Sequence, residues 1–547
     1  MKKWFIYLGL SLTVLLPMLL PGYIFALDMV FAPDIRLPDQ VTSSYPFYAL
    51  LHFLNVIVPS QVLQKLLLLA ILVLSGVGAY DLVRWLQRTP EAHKNALMWG
   101  AYIAGGLYMI NPFTYSRFMV GQFAVLLGYA LLPFFALALL KLFERPGIRR
   151  ALILAAWAAG IGVVSIHTVG LACILILLSI PLLIHRYRAN PKVLLRIGTY
   201  SLVSIGVTVL ASAYWLVPLL TGESRTADAI AGFNTGDREA FATVGGDVLN
   251  RVANVLQLQG FWAEGTHTYL LPQYVLPIWF VVVIGLWIVA GMGVSWMIRH
   301  GQRFAVGLFG GAAMVAVVLS ATSLSYTVAD HVPLFAGYRE PQKFAGLLAL
   351  AYAVAVGFGA DSLLERARQS RSEGKLAVTT IAVLLLPFLL TPTMFWAFGN
   401  QLTPREYPND WYAVNDRLNQ EPGEGRVLFL PWHLYMSFSF SGRIVANPAE
   451  QFFDRPTIVS NELEYAGASP TMPDKEKTAL GALLRDARQG KADLADRLAG
   501  HGIKYILLSK DDDYEAYDYI ANQPGIRLIQ TTGNIELYRN DTYGRQP

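Results

Sequence analysis

The side chains best suited to chemistry in this 547-residue chain are carboxylates and cations that stand just beyond long apolar runs. Asp28 directly follows the first run, with Asp34 and Asp39 close behind in Leu27-Asp28-Met29-Val30-Phe31-Ala32-Pro33-Asp34-Ile35-Arg36-Leu37-Pro38-Asp39. A carboxylate partly stripped of water at a membrane surface has its pKa pushed toward working pH, where it can take a proton from a hydroxyl. The plainer role for Asp28 is that of a polar residue marking a helix end. Arg117 lies in the turn Asn111-Pro112-Phe113-Thr114-Tyr115-Ser116-Arg117-Phe118-Met119-Val120-Gly121-Gln122, and Arg339 and Lys343 flank Glu340-Pro341. Arginine's planar fork matches phosphate oxygens, whereas snorkelling to lipid headgroups or a local ion pair is the simpler use of such cations. His167 tops a tight turn between two apolar runs, where a polar tip residue is the simpler reading.

Several chemistries are excluded. His52, His267, His331 and His433 are scattered without metal-ligand spacing, so no structural metal site is arguable. There is no phosphate loop ending in Gly-Lys-Ser/Thr, no Gly-x-Ser-x-Gly elbow and no His-Glu-x-x-His helix. Gly76-Val77-Gly78 lies inside an apolar run, where small residues serve helix packing. The one cysteine, Cys173, has no partner for an intramolecular disulfide, and its apolar surroundings suggest a packed thiol.

The elements that must position these groups are membrane helices. Residues are 54% hydrophobic and only 15% charged, with a mean hydropathy of +0.42, too few charges for an ordinary soluble surface. The balance of 43 Lys+Arg against 38 Asp+Glu does not point to nucleic acid, because the bases punctuate apolar runs instead of clustering on one face. Runs long enough to cross about 30 Å of hydrocarbon cover roughly 4–26, 62–80, 95–110, 122–140, 150–166, 168–184, 197–217, 273–297, 304–321, 344–362 and 376–397, about eleven spans. A cleaved signal peptide is the alternative for the first, but Pro17, Pro21 and Gly22 fit a kinked helix end better.

With the N-terminus inside, every inner connector is basic, from Lys2-Lys3 through Arg84, Arg88 and Lys94 to Arg366, Arg368, Arg371 and Lys375. The outer loops, about 27–61, 218–272 and 322–343, are poorer in Lys and Arg; the second carries Glu223, Arg225, Asp228, Asp237, Asp247 and Glu264. Residues 45–54 are aromatic, apolar and too short to cross, as expected of a helix lying in the interface. An odd number of spans leaves residues 401–547 outside as a small α/β domain following a membrane domain of 1–400. In that tail 426–431, 504–508, 526–529 and 535–538 read as strands, the last two joined by a Gly533-Asn534 turn, and 474–498 has helical periodicity.

This arrangement resembles the GT-C superfamily of polyprenyl-phosphate-sugar glycosyltransferases. The resemblance rests on an Asp-bearing outer loop directly after the first span, a large outer loop after the seventh and a C-terminal outer domain. Asn111-Pro112-Phe113 with Arg117 and Gly121-Gln122, and Tyr338-Arg339-Glu340-Pro341 with Lys343-Phe344, look like multispan proteins of the YfhO and mycobacterial arabinofuranosyltransferase D types. The resemblance implies that Asp28 is the general base or a metal ligand, with Asp34 and Asp39 in reserve. Arg117, Arg339 and Lys343 would then hold the departing phosphate, and Glu340 and His167 would line the site. It also implies a polyprenyl-phosphate-linked sugar as donor, an envelope glycan or lipid as acceptor, a surrounding bilayer, no nucleic acid, and a divalent Mg or Mn ion as a possible but not required assistant. Trp411, Trp432, Tyr435 and Phe438 offer either sugar stacking or core packing. The competing readings are a transporter or flippase of lipid-linked sugars, which calls for charges in mid-membrane, and a non-catalytic assembly factor.

Overall fold

The computed structural model describes residues 1–88, 99–222, 235–332, 335–463 and 474–544; Lys94, Glu223, Arg225 and Asp228 lie outside the described residues. Helices occupy the predicted spans: α1 (Lys2–Leu15), α3 (Ser60–Leu86), α4 (Gly100–Met109), α6 (Phe123–Glu144), α7 (Ile148–Val164), α8 (Ile166–Tyr187), α9 (Pro191–Ala211), α11 (Trp279–Arg299), α12 (Arg303–Ala321), α13 (Ala345–Gln369) and α14 (Glu373–Leu390). Among the described residues nine helices are long and apolar enough to cross a membrane; α7, with 17 residues, and the 10 residues of α4 fall short of that length. Between the spans lie α2 (Tyr45–Asn55), a short helix over the segment expected at the interface, α5 (Pro112–Val120) and α10 (Ala213–Thr221). This is a multi-pass membrane protein.

One predicted boundary is corrected. The first span does not run to residue 26: α1 stops at Leu15, a tight turn carries on to Leu19, and Leu20 is extended. Pro17 and Pro21 explain this, since neither offers an N–H to continue a helix and Pro21 disfavours a helical residue 20. The freed segment crosses to the tail, where Tyr23 exchanges backbone hydrogen bonds of 2.7 and 2.8 Å with Arg405. Cys173 is also placed differently from expectation. It is exposed on the outer surface of α8, because that helix buries only one stripe against α6, α7 and α12.

Helix α13 is the spine of the bundle, packed on α4, α11 and α12. Small residues let the backbones meet: a Cβ on Gly293 would lie 1.8 Å from the Ala355 carbonyl oxygen. After α14 the chain makes a left-handed turn through Trp396, Ala397 and Phe398, with φ of 56, 56 and 57°, that buries the Phe398 ring against Tyr115 and Phe118 of α5.

The tail holds α15 (Asn409–Gln420) and strands β1 (Arg426–Leu430), β2 (Tyr435–Ser437), β3 (Ile444–Ala446) and β4 (Thr457–Ile458). There follow α16 (Lys475–Arg488), α17 (Leu494–Gly500), β5 (Ile503–Ser509), β6 (Ile526–Thr532) and β7 (Ile535–Asn540). Five strands form one sheet in the order β4-β1-β5-β7-β6, with β4, β1 and β5 parallel and the β6–β7 hairpin antiparallel. All seven residues of β5 are buried, as expected of the central strand of the sheet, whose apolar run is Tyr505-Ile506-Leu507-Leu508. Leu480, Leu483, Leu484, Leu494 and Leu498 share the face packed on this sheet, with a break after Arg488 dividing the predicted helix in two. Ile24, Phe25 and Met29 belong to the same continuous apolar cluster as Trp411, Phe429 and Val445, so the tail is seated on the segment that carries Asp28.

Candidate functional site

Asp28 owes its position to the end of α5. Asn111 caps that helix by accepting the Thr114 N–H at 3.1 Å, Pro112 fills its first turn, and Gly121 ends it with φ of +81°. The Asp28 N–H donates to the last carbonyl region at Val120, 2.8 Å away. A Cβ on Gly121 would lie 2.6 Å from the Met29 Cβ, so only glycine allows both the turn and this approach. Gln122, the next residue, donates to both Glu340 oxygens at 3.1 and 3.3 Å and reaches Asp28 as well.

From the tail, the β2–β3 hairpin completes this corner. Ala446 N–H donates to the Leu27 carbonyl at 2.8 Å, and the Tyr435 hydroxyl donates to Asp28 Oδ1 at 2.8 Å. Asp28 keeps surface accessible to water yet is ringed by protein on its other sides. That surrounding mass pushes its carboxyl up to about 6, with Glu340 adding to the rise and Tyr435, Lys343 and Gln122 opposing it.

The partner carboxylate is Glu340. It begins a tight turn, Pro341–Phe344, in which residues three apart eclipse one another, so Lys343 Nζ lies 3.5 Å from Glu340 Oε1. Burial alone would raise the Glu340 carboxyl, but Lys343, Arg117 and the Gln122 amide outweigh it and hold the group at about 2. Lys343 Nζ also lies 3.2 Å from His167 Nε2, and the Tyr338 hydroxyl donates to the His167 carbonyl. Two carboxylates within electrostatic reach of each other are therefore driven apart, one to a proton acceptor near neutrality and one to a permanent anion.

Arg117 is 1% exposed. Its guanidinium lies 3.7 Å from the centre of the Phe261 ring and 5.0 Å from that of Phe113, and its Nε and Nη2 have no hydrogen-bond partner among the described residues. Arg339 is committed differently: its Nη1 lies 3.3 Å from Asp237 Oδ1 and its guanidinium 4.4 Å from the Phe241 ring. That pair weakens the expectation that Arg339 faces a phosphate, although its field still reaches Lys343, His167 and Tyr435.

The two reserve carboxylates stand apart from this corner. Asp34 and Asp39 are exposed, and Asp34 acts on Tyr23 and Tyr412 instead of on Asp28. The chain leaves the site at Met29 and turns toward the outside of the tail, where Arg36 donates to the Glu450 carbonyl at 3.3 Å. Glu340, from a segment more than three hundred residues away, supplies the second carboxylate.

The family model for "Alpha-(1->3)-arabinofuranosyltransferase, N-terminal GT-C domain" matches residues 43–545. The chain belongs to this family. No curated protein matches it by sequence. Among solved structures it is similar to a cryo-EM structure of arabinofuranosyltransferase AftD from Mycobacteria, with a TM-score of 0.66 at 16% identity. That likeness covers 99% of this chain and 40% of the other, so the chain spans less than half the length of that relative. Two structures of an arginine-to-serine mutant of the same enzyme give TM-scores of 0.61 and 0.59, also at 16% identity, each covering 98% of this chain and 41% of the other. At such identity the likeness establishes the fold alone, and the family match names it GT-C. The family match begins after Asp28, so that residue's place in the site rests on the geometry above.

For a GT-C domain the donor set bears on metal use. Asp28 and Glu340 are the two carboxylates at this corner, one engaged by Tyr435 and the other by Gln122 and Lys343. The Lys343 ammonium, 3.5 Å from Glu340, competes for that carboxylate, but Mg needs no larger protein donor set, since it binds through one or two carboxylates together with substrate phosphate and water. No group of three metal-ligating side chains occurs among the described residues. Reading the sequence missed Tyr435 as a partner of Asp28 and Glu264 as a neighbour of Arg117. Trp411, Trp432 and Phe438 are core residues, each at most 5% exposed.

Proposed function

We propose that this protein is a glycosyltransferase that moves a pentofuranosyl residue, arabinofuranosyl in class, from a polyprenyl-phosphate donor to a hydroxyl of a cell-envelope glycan. The observation that carries the reading is the corner itself: Gln122 bridges Asp28 and Glu340, Lys343 lies 3.5 Å from Glu340, Tyr435 donates to Asp28, and the buried Arg117 acts on Glu340. Arg117 and Lys343 bind the donor phosphate, Arg117 through its unfilled edge. Asp28 takes the acceptor's proton on the oxygen not engaged by Tyr435. The acceptor oxygen attacks the anomeric carbon opposite the phosphate. As the new C–O bond forms, the bond from that carbon to the phosphate oxygen breaks, and polyprenyl phosphate leaves with the electron pair and inversion of configuration. Glu340 stays ionised throughout and holds Lys343 and Gln122 in place.

The basic connectors at the end of the bundle remote from the tail support a cytoplasmic N-terminus and an extracytoplasmic site. Donor and acceptor are then met at the outer leaflet, where no nucleotide is needed. The deciding experiment is transfer from polyprenyl-phosphoryl-arabinose by purified Asp28→Asn protein. Removal of a general base costs about 10²- to 10⁴-fold; wild-type rates from a folded Asp28→Asn variant would overturn the assignment.

A further inference from the structure

One buried acid stands outside this mechanism. Glu264, 6% exposed, lies in the short turn Trp262–Thr266, and both of its oxygens are engaged: Oε1 accepts from the Ser116 hydroxyl at 2.9 Å and Oε2 from the Gly260 N–H at 2.7 Å. Ser116 immediately precedes Arg117 on α5. Phe261, from the same turn as Glu264, supplies the ring over which the Arg117 guanidinium is stacked. The turn therefore grips this part of α5 at two points, a hydrogen bond to residue 116 and a ring face against residue 117. Stacking fixes the plane of the guanidinium without using its N–H groups, and Nε and Nη2, both buried, are left without a hydrogen-bond partner among the described residues, on the edge that matches a two-pronged oxyanion.

Lys343 and His167 lie within the field of Arg117, beside one another at 3.2 Å. Arg117 faces Glu264 from α5, Tyr269 faces both from the following loop, and Glu340 acts on Arg117 from the other side. Neither carboxylate forms an ion pair with Arg117 among the described residues. A phosphate bound to the unpartnered edge of Arg117 brings another negative charge close to Glu264. In a buried setting such like charges disfavour one another strongly.

We propose that Glu264 is a positioning residue for the donor phosphate. It orients Arg117 through Ser116 and Phe261 and takes up one proton from solvent as the phosphate binds, which leaves the charge of the guanidinium to the ligand. The inference rests on the reading of Arg117 as a phosphate ligand. Its chemistry is a single protonation of a carboxylate, with no bond to carbon or phosphorus made or broken. The acid is suited to it, because burial holds the Glu264 carboxyl at about 7 against the opposing Gly260, Ser116 and Arg117. The carboxyl is then neutral below that pH and charged above it, so phosphate affinity falls as pH rises through about 7.

The test uses the full chain in nanodiscs and methyl farnesyl phosphate, a phosphodiester that stays monoanionic across the range. Binding is measured by calorimetry from pH 6 to 8.5 in two buffers of different ionisation enthalpy, which reports proton uptake directly. Wild type is expected to lose about tenfold in affinity over this interval and to take up a fraction of a proton near pH 7. Glu264→Gln keeps an acceptor for Ser116 or Gly260; it is expected to bind with little pH dependence and no uptake above pH 7. Asp28 titrates lower and is common to both proteins, so the difference between them isolates Glu264. A Glu264→Gln protein of unchanged melting temperature that keeps the wild-type slope and uptake would overturn the inference alone. Wild-type binding unaffected by Arg117→Gln would overturn it together with the phosphate-site reading.

Discussion

Asp28 and Glu340 are both carboxylates at one corner of the molecule, and their surroundings assign them opposite tasks. With Asp28 at about 6, the sign of its pH dependence is fixed: the proposed base is protonated and idle below that value, and kcat measured with saturating donor is expected to rise with pH through about 6 and then level off, while donor affinity itself falls above about 7. Tyr435 sharpens the test, because its hydroxyl donates to Asp28 and so favours the charged form. A hydrogen bond of about 1 kcal/mol corresponds to about 0.7 pH unit. Tyr435→Phe is therefore expected to move the acid limb of the profile upward by roughly that amount, with less effect on the plateau. A profile unmoved by this change would mean that another group is the titrating base.

At the level of elements, the site depends on how α5 ends. Gly121 combines a left-handed φ with contact on Met29, so Gly121→Ala adds backbone strain of about 1 to 3 kcal/mol and forces Met29 away. Expected results are a lower melting temperature and at least a hundredfold loss of transfer, since Asp28 is the residue beside Met29; retention of both would show that the corner is not built on this contact. This dependence also explains what was legible in the sequence. The membrane helices and β1, β5, β6 and β7 announce themselves as local apolar runs, and Asn111-Pro112 with Gly121 marks both ends of α5. The β2–β3 hairpin has three residues per strand, too few to show a period, and so Tyr435 could not be placed over Asp28. Asp34 looked like a partner because it is near in the chain, yet the chain turns outward at Pro33. Glu264 meets Ser116, beside Arg117, only because a turn far away in sequence closes on α5.

For the whole molecule, the bundle gathers Asp28, Arg117, Glu340 and Lys343 at the end that bears the tail, and the short basic connectors lie at the other. Which end faces out decides whether donor and acceptor are met at the extracytoplasmic leaflet. The sole cysteine, Cys173, makes the question easy to pose, since replacing it leaves a chain with no thiol. In that background, Ser437→Cys places a thiol on the exposed surface of β2, and Ala189→Cys places one on the exposed connector between α8 and α9. A membrane-impermeant maleimide applied to intact cells is expected to label position 437 fully and position 189 only after permeabilisation. The reverse pattern would place the catalytic corner in the cytoplasm, where a polyprenyl-linked donor has no evident advantage over a soluble nucleotide sugar, and the proposed donor class would fall with the orientation.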